Sequence, residues 1–261
     1  MNVYWLEQTE ADVPAENDWL SAKEALCLDT LRFAKRRADW RLGRWTAKRA
    51  LSVYLDVPAD FGIFRKMEIR PAPSGAPEVF FGDLAASVTI SLSHRSGRAT
   101  CAVAMSGVEL GCDLEIVEPH SEAFVADYFA LEEQALVASA AVADRDRLLA
   151  LLWSAKESAL KALGAGLRLD TRSVIVTPSV ASFNLIGWSR LQARYTRGRD
   201  TGDRCADDGC ADYGCTGDQV FHGWWQQAGD MVRTVVAAPA PNPPIGLTFN
   251  GHFFHRASLL A

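Results

Sequence analysis

Residues 45–51 read WTAKRAL and residues 153–160 read WSAKESAL, so one helical phrase is written twice, 108 residues apart. Trp45 aligns with Trp153, Thr46 with Ser154, Ala47 with Ala155 and Lys48 with Lys156, whereas Arg49 takes the slot of Glu157. A strand-like run follows each phrase, GRATCAVA around Thr100 and GDMVRTVVAA around Thr234. These strands lie 134 residues apart, 26 more than the helices, and the excess is about the length of a Gly-, Asp- and Cys-rich stretch at 197–220 with no apolar period. That stretch reads as an insertion, and the rest as one unit used twice. The expected fold is therefore α+β, a pseudo-dimer of two similar halves. Each half is a small antiparallel sheet packed with a long helix, and the active site lies in the cleft between them. Residues 1–107 form the first half and 108–261 the second.

Periodicity supplies the elements. Strands are expected at Val3 to Leu6, Val88 to Ser93, Ala99 to Met105, Val108 to Val117, Val174 to Thr177, Leu191 to Tyr195 and Val232 to Ala237. Helices are expected at 30–55, 122–140 and 145–163, the last stopped by Gly164 and Gly166, with RPAPSGAPE at 70–78 a loop. A composition 49% hydrophobic and 23% charged is that of a globular chain, neither fibrous nor disordered. The N-terminus lacks a basic-then-apolar leader, and the LLALLW run at 148–153 is too short to span a bilayer, so a cytoplasmic location is expected. Cys27, Cys101 and Cys112 sit among apolar residues and read as buried. Cys205, Cys210 and Cys215 lack the paired spacing of a zinc site.

Charge is unevenly spread. Residues 32–49 hold eight bases against one acid, Asp39, which makes this segment +7 and leaves −12 for the rest of a chain of net charge −5. Arg37, Arg41, Arg44 and Lys48 recur at helical spacing beside an apolar stripe of Leu31, Ala34, Ala38, Leu42 and Trp45. Such a row is either a solvated face or an anion site.

The acids are more pointed. In VELGCDLEIVE at 108–118, strand alternation puts Asp113 and Glu115 on one face, either as two acids of an exposed strand or, near the centre of the protein, as paired carboxylates that call for a hard cation such as Mg²⁺. On the helix 145–163, Glu157 and Lys161 share an edge, either as a surface ion pair or as part of a site. Lys156 falls within the apolar arc, where an ammonium must snorkel, find a partner or belong to a site. In ISLSHRSG, Ser93 and His94 end a strand, where the histidine is either structural or, among hydroxyls, suited to a phosphate.

SLSHRSG, GCDLE and WSAKESALKALGAGL, in this order and spacing, closely resemble the motifs of the larger, pseudo-dimeric 4′-phosphopantetheinyl transferases, from about Arg37 to Leu167. That family moves the phosphopantetheine arm of coenzyme A onto a serine hydroxyl of an apo acyl or peptidyl carrier protein, with Mg²⁺, releasing 3′,5′-ADP. The resemblance implies that Asp113, Glu115 and Glu157 hold the metal. Glu157 is also the candidate general base, Lys161 its neighbour at the phosphates, and His94 a pyrophosphate contact. Coenzyme A would then be bound by Arg37, Arg44, Lys48, Ser93, His94, Lys156 and Lys161. One departure is the turn SGAPE at 74–78, where relatives commonly carry G-K-P with a lysine near the nucleotide. Phe124, Tyr128 and Phe129 are either core or a docking patch for the carrier. A monomer with one metal-assisted site is expected, with no membrane or nucleic-acid partner. The rival readings are a Mg²⁺-dependent phosphodiesterase or nuclease, and a nucleic-acid-binding module built on the basic helix.

Overall fold

The first phrase lies on the second helix of the computed structural model, which describes residues 1–179, 187–196 and 218–248. The first part of the chain runs β1 (Tyr4–Thr9), α1 (Ala22–Thr30), α2 (Ala34–Tyr54), α3 (Phe61–Lys66), β2 (Met67–Pro71), β3 (Pro77–Phe81), β4 (Leu84–Ala85), β5 (Val88–Arg95) and β6 (Arg98–Met105). After the turn at Gly107 come β7 (Glu109–Ile116), α4 (Glu122–Tyr128), α5 (Leu131–Ser139), α6 (Val142–Ala162), β8 (Val174–Pro178), β9 (Ser189–Tyr195), β10 (Gln219–Ala228), β11 (Met231–Ala238) and β12 (Ile245–Gly246). One sheet has the order β12-β1-β6-β5, a second β7-β11-β10-β9-β8, and a small third β2-β3-β4. All pairings are antiparallel except β1 with β12, so the chain returns at Ile245–Gly246 to extend the first sheet. No helix among the described residues is long and apolar enough to cross a membrane.

Each long helix covers one sheet for the reason its spacing suggests. From α2, Ala47, Ala50 and Leu51 pack on Ile90, Cys101 and Val103, and from α6, Leu148, Leu152, Ala155 and Ala159 pack on Val176, Val232 and Val236. Each fully buried leucine contributes roughly 1.5–3 kcal/mol relative to exposure. The opposite faces of the two sheets meet through Val3, Ala102 and Ala104 against Leu110, Cys112 and Val235. The expected helix at 122–140 is two helices. Phe129 and Ala130 are extended between them, because Glu133 folds back to accept the Ala130 N–H at 3.0 Å and starts a new helix.

The repeated lysines anchor the helices. Lys48 has no solvent exposure, and its Nζ meets Glu24 Oε2 at 2.5 Å, the Phe64 carbonyl at 2.7 Å and the Trp19 carbonyl at 3.2 Å. Glu24 in turn accepts the Ser21 N–H at the start of α1 and the Ile69 N–H of β2. Lys156, also without exposure, meets Glu133 Oε2 at 2.6 Å and donates to the Thr171 and Val174 carbonyls, while Glu133 accepts the Ala130 and Val176 N–H groups. All three protons of each ammonium are used, which is what a buried cation requires. This corrects the expectation that Lys48 and Lys156 bind coenzyme A. Cys101 and Cys112 are buried as expected, but Cys27 is exposed on α1. The insertion at 197–220, with Cys205, Cys210 and Cys215, lies outside the described residues up to 217.

Candidate active site

On β7 the residues Gly111, Asp113 and Glu115 alternate onto one face, the face toward α6. Gly111 lets the helix come close: a Cβ there would lie 1.7 Å from the Ser158 carbonyl oxygen. The close approach brings Lys161 over Asp113. Its Nζ donates to Asp113 Oδ1 at 2.7 Å and to the Cys112 carbonyl at 3.1 Å, and lies 3.8 Å from Glu157 Oε2. The structure thus brings together Asp113 and Glu115 of β7 with Glu157 and Lys161 of α6, in place of a free surface ion pair.

Asp113 is 2% exposed, and its two oxygens differ. Oδ1 accepts from Lys161 and from Ser93 Oγ at 2.7 Å, whereas Oδ2 is buried with no hydrogen-bond partner. Burial, and then the charge of Asp113, push Glu115 up to about 7, against the pull of Arg95, whose Nε lies 3.3 Å from Glu115 Oε2. Glu157 is likewise raised to about 7 by burial and by Asp113, with Glu115 adding to the push and Lys161 opposing it. Burial alone would lower Lys161, but Asp113 and Glu157 raise it, so it stays an ammonium.

These groups fit a hard divalent cation. Among the described residues no three His, Cys, Asp or Glu side chains form a ready-made cage. Mg²⁺ rarely uses one, being held by one or two carboxylates, waters and the phosphates of a substrate. The bare Asp113 Oδ2 beside two carboxyls that repel each other's charge matches that need.

His94 is exposed at the end of β5. Partial loss of water lowers its pKa, and the charges that reach it come both from α2, Asp39 and Lys35, and from the acid cluster, Lys161 and Asp113. It therefore lies within electrostatic reach of both the start of α2 and the carboxylates. The expected basic row is engaged with the N-terminal loops. Arg37 donates to the Leu28 and Leu31 carbonyls at the end of α1, Arg41 to those of Pro14 and Ala15, and Arg44 lies over the Trp40 ring at 4.7 Å with its Nε 4.0 Å from Glu24. In these contacts the row ties α2 to the N-terminal loops, as packing rather than as a continuous solvated face. Lys35 and Arg36, on the other side of the helix, are exposed.

Sequence reasoning missed Gly111, Arg95 and Trp153. Gly111 was legible as a glycine within a strand, a usual sign of close approach. The Trp153 side chain hydrogen-bonds Glu115, and its ring packs on Phe124 (5.2 Å), Tyr128 (5.2 Å) and Phe129 (6.4 Å). Of these, Phe129 is core, Phe124 half-buried and Tyr128 41% exposed.

Residues 109–207, the stretch that holds β7 and α6, match the family model of the 4′-phosphopantetheinyl transferase superfamily. The chain is also similar to the 4′-phosphopantetheinyl transferase HetI of a Nostoc species, with 27% identity over 179 residues that cover 67% of this chain and 72% of that protein. The match falls on the strand and helix that assemble the acids, so it is this part of the chain that is similar to the 4′-phosphopantetheinyl transferase superfamily.

Proposed function

We propose that this chain transfers the 4′-phosphopantetheine arm of coenzyme A to a serine hydroxyl of an apo acyl or peptidyl carrier protein. It does so with Mg²⁺, as a cytoplasmic monomer, releasing 3′,5′-ADP. The observation that carries this reading is Asp113, with one oxygen engaged by Lys161 and the other bare and buried, beside Glu115 and Glu157 within the family-matched stretch. The two lysine-anchored helices, each over its own sheet, support a pseudo-dimer with the site where β5 of one half meets β7 of the other.

In the reaction the serine Oγ forms a bond to the β-phosphorus of coenzyme A, and the bridging P–O bond breaks, freeing 3′,5′-ADP. Asp113, Glu115 and Glu157 would hold the cation, which when bound supplies charge neutralisation at the pyrophosphate. Glu157, poised near neutrality, accepts the serine proton. Lys161, kept charged by Asp113 and Glu157, offsets the negative charge that builds on the leaving phosphate. His94 and the exposed Lys35, whose charge reaches it, are suited to meet further phosphates.

Incubation with coenzyme A, Mg²⁺ and an apo carrier, followed by intact mass spectrometry, tests the reading. A carrier heavier by the phosphopantetheine arm supports transfer. Consumption of coenzyme A without a heavier carrier identifies a phosphodiesterase instead, and no consumption with several carriers overturns the proposal.

A further inference from the structure

Strand β5 meets β7 through two serines, and the two contacts are alike in all but one respect. Ser91 Oγ accepts the Cys112 N–H at 3.0 Å, and Ser93 Oγ accepts the Leu114 N–H at 3.4 Å. Only Ser93 also donates, to Asp113 Oδ1 at 2.7 Å. Both serines are buried, at 3% and 9% exposure, so neither hydroxyl has water as an alternative partner. A hydroxyl whose lone pair is held by a backbone N–H has its own proton aimed, here at one carboxylate oxygen. Lys161 reaches the same oxygen at 2.7 Å. Turning the carboxylate would break two short hydrogen bonds at once, so Oδ2, which has no partner, is kept as the oxygen available to a ligand.

We propose that Ser93 is a positioning residue for the transfer reaction: it holds the Asp113 carboxylate in the orientation that leaves one oxygen bare for the cation. The inference rests on the reading of Asp113 as a metal ligand. It gives the Ser93 hydroxyl a role of its own, because its single proton is committed to Asp113. It also divides the labour across the fold, with a strand of the first sheet orienting an acid of the second.

The test uses Mn²⁺ as a spectroscopic probe, titrated into the full chain without coenzyme A and followed by electron paramagnetic resonance, with steady-state kinetics alongside. Ser93→Ala should weaken Mn²⁺ binding roughly tenfold or more, as for other groups that orient a metal ligand. It should lower kcat while leaving KM for coenzyme A near its normal value. Ser93→Thr, which keeps the hydroxyl, should restore both. Ser91→Ala removes an equivalent backbone contact, and should lower the melting temperature while Mn²⁺ binding stays near wild type. Unchanged Mn²⁺ affinity in Ser93→Ala, an equal loss in Ser91→Ala, or a change confined to KM for coenzyme A would overturn the proposal. A wild-type chain that binds no Mn²⁺ would instead remove the metal reading on which it rests.

Discussion

Lys156 Nζ lies 2.6 Å from Glu133 Oε2 with neither side chain in contact with bulk water, and the next residue along α6 is Glu157. The pair fixes the roll of α6, so that its neighbour faces Asp113. Breaking a buried pair from one side leaves an uncompensated charge, and Lys156→Met should cost about 3–5 kcal/mol, read from urea unfolding. Adding Glu133→Gln should recover part of the loss. Lys48→Met should destabilise similarly by leaving Glu24 unpaired, yet leave KM for coenzyme A unchanged in the folded enzyme. A raised KM there would return Lys48 to the ligand.

Gly111 is the position at which α6 presses on β7. A methyl group 1.7 Å from the Ser158 carbonyl cannot be relieved by a side-chain movement, so Gly111→Ala must push strand and helix apart. The expected cost is about 3 kcal/mol or more, with activity lost as Lys161 moves off Asp113. Gly43 is the control: it lies within α2, a methyl group there would meet nothing within 4 Å, and Gly43→Ala should stabilise by roughly 0.5–1 kcal/mol. Equal outcomes for the two would refute the close-approach argument.

Glu115 and Glu157 carry pKa values of about 7 against an ordinary 4.5. An acid raised in the folded state stabilises fully below its unfolded value, and that contribution is lost as pH rises through the folded value. The metal-free protein should therefore lose stability between about pH 4.5 and 7. A cation that needs both carboxylates must displace their protons, so Mg²⁺ affinity should rise about tenfold per pH unit per proton below pH 7 and level off above. Thermal unfolding with and without Mg²⁺ at pH 6 and pH 8 should show the larger Mg²⁺ stabilisation at pH 8. The same shift at both would exclude these acids as ligands.

What was legible in the sequence follows from how local each signal is. The pairing of Asp113 with Glu115 rests on strand alternation, and that of Glu157 with Lys161 on one helical turn, so both read directly from spacing. The destination of the basic row did not: Arg41 ends on the carbonyls of Pro14 and Ala15, loop atoms with no periodic signature. The break at Phe129 and Ala130 carries no Gly or Pro; it depends on Glu133 turning back to its own cap. Lys156 could be seen to need a partner, but Glu133 lies on a different helix. Strand β10 was missed because VFHGWWQQA alternates poorly around Gly223, where a Cβ would lie 2.3 Å from the Val235 carbonyl oxygen.

The last prediction concerns the number of sites. Thr234 of β11 faces Asp113 of β7, and Thr100 of β6 faces Glu7 of β1, so on the proposed pseudo-symmetry Glu7 holds in the first half the register that Asp113 holds in the second. Its chemistry is closed. Arg233 approaches Glu7 at 2.5 and 2.8 Å, Arg98 adds a third contact at 3.2 Å, and no carboxylate oxygen is left as bare as Asp113 Oδ2. At the slots of Glu157 and Lys161 the first half has Arg49 and Val53. Guanidinium groups at these places repel a divalent cation, and no base remains to take a serine proton. One chain should therefore bind one coenzyme A with one metal-assisted site, without a second copy. Calorimetric titration of a size-verified monomer with coenzyme A and Mg²⁺ should give a stoichiometry near one. A value near two per chain, or activity that disappears on dilution as an oligomer dissociates, would show that Glu7 and Arg233 do not close the second position.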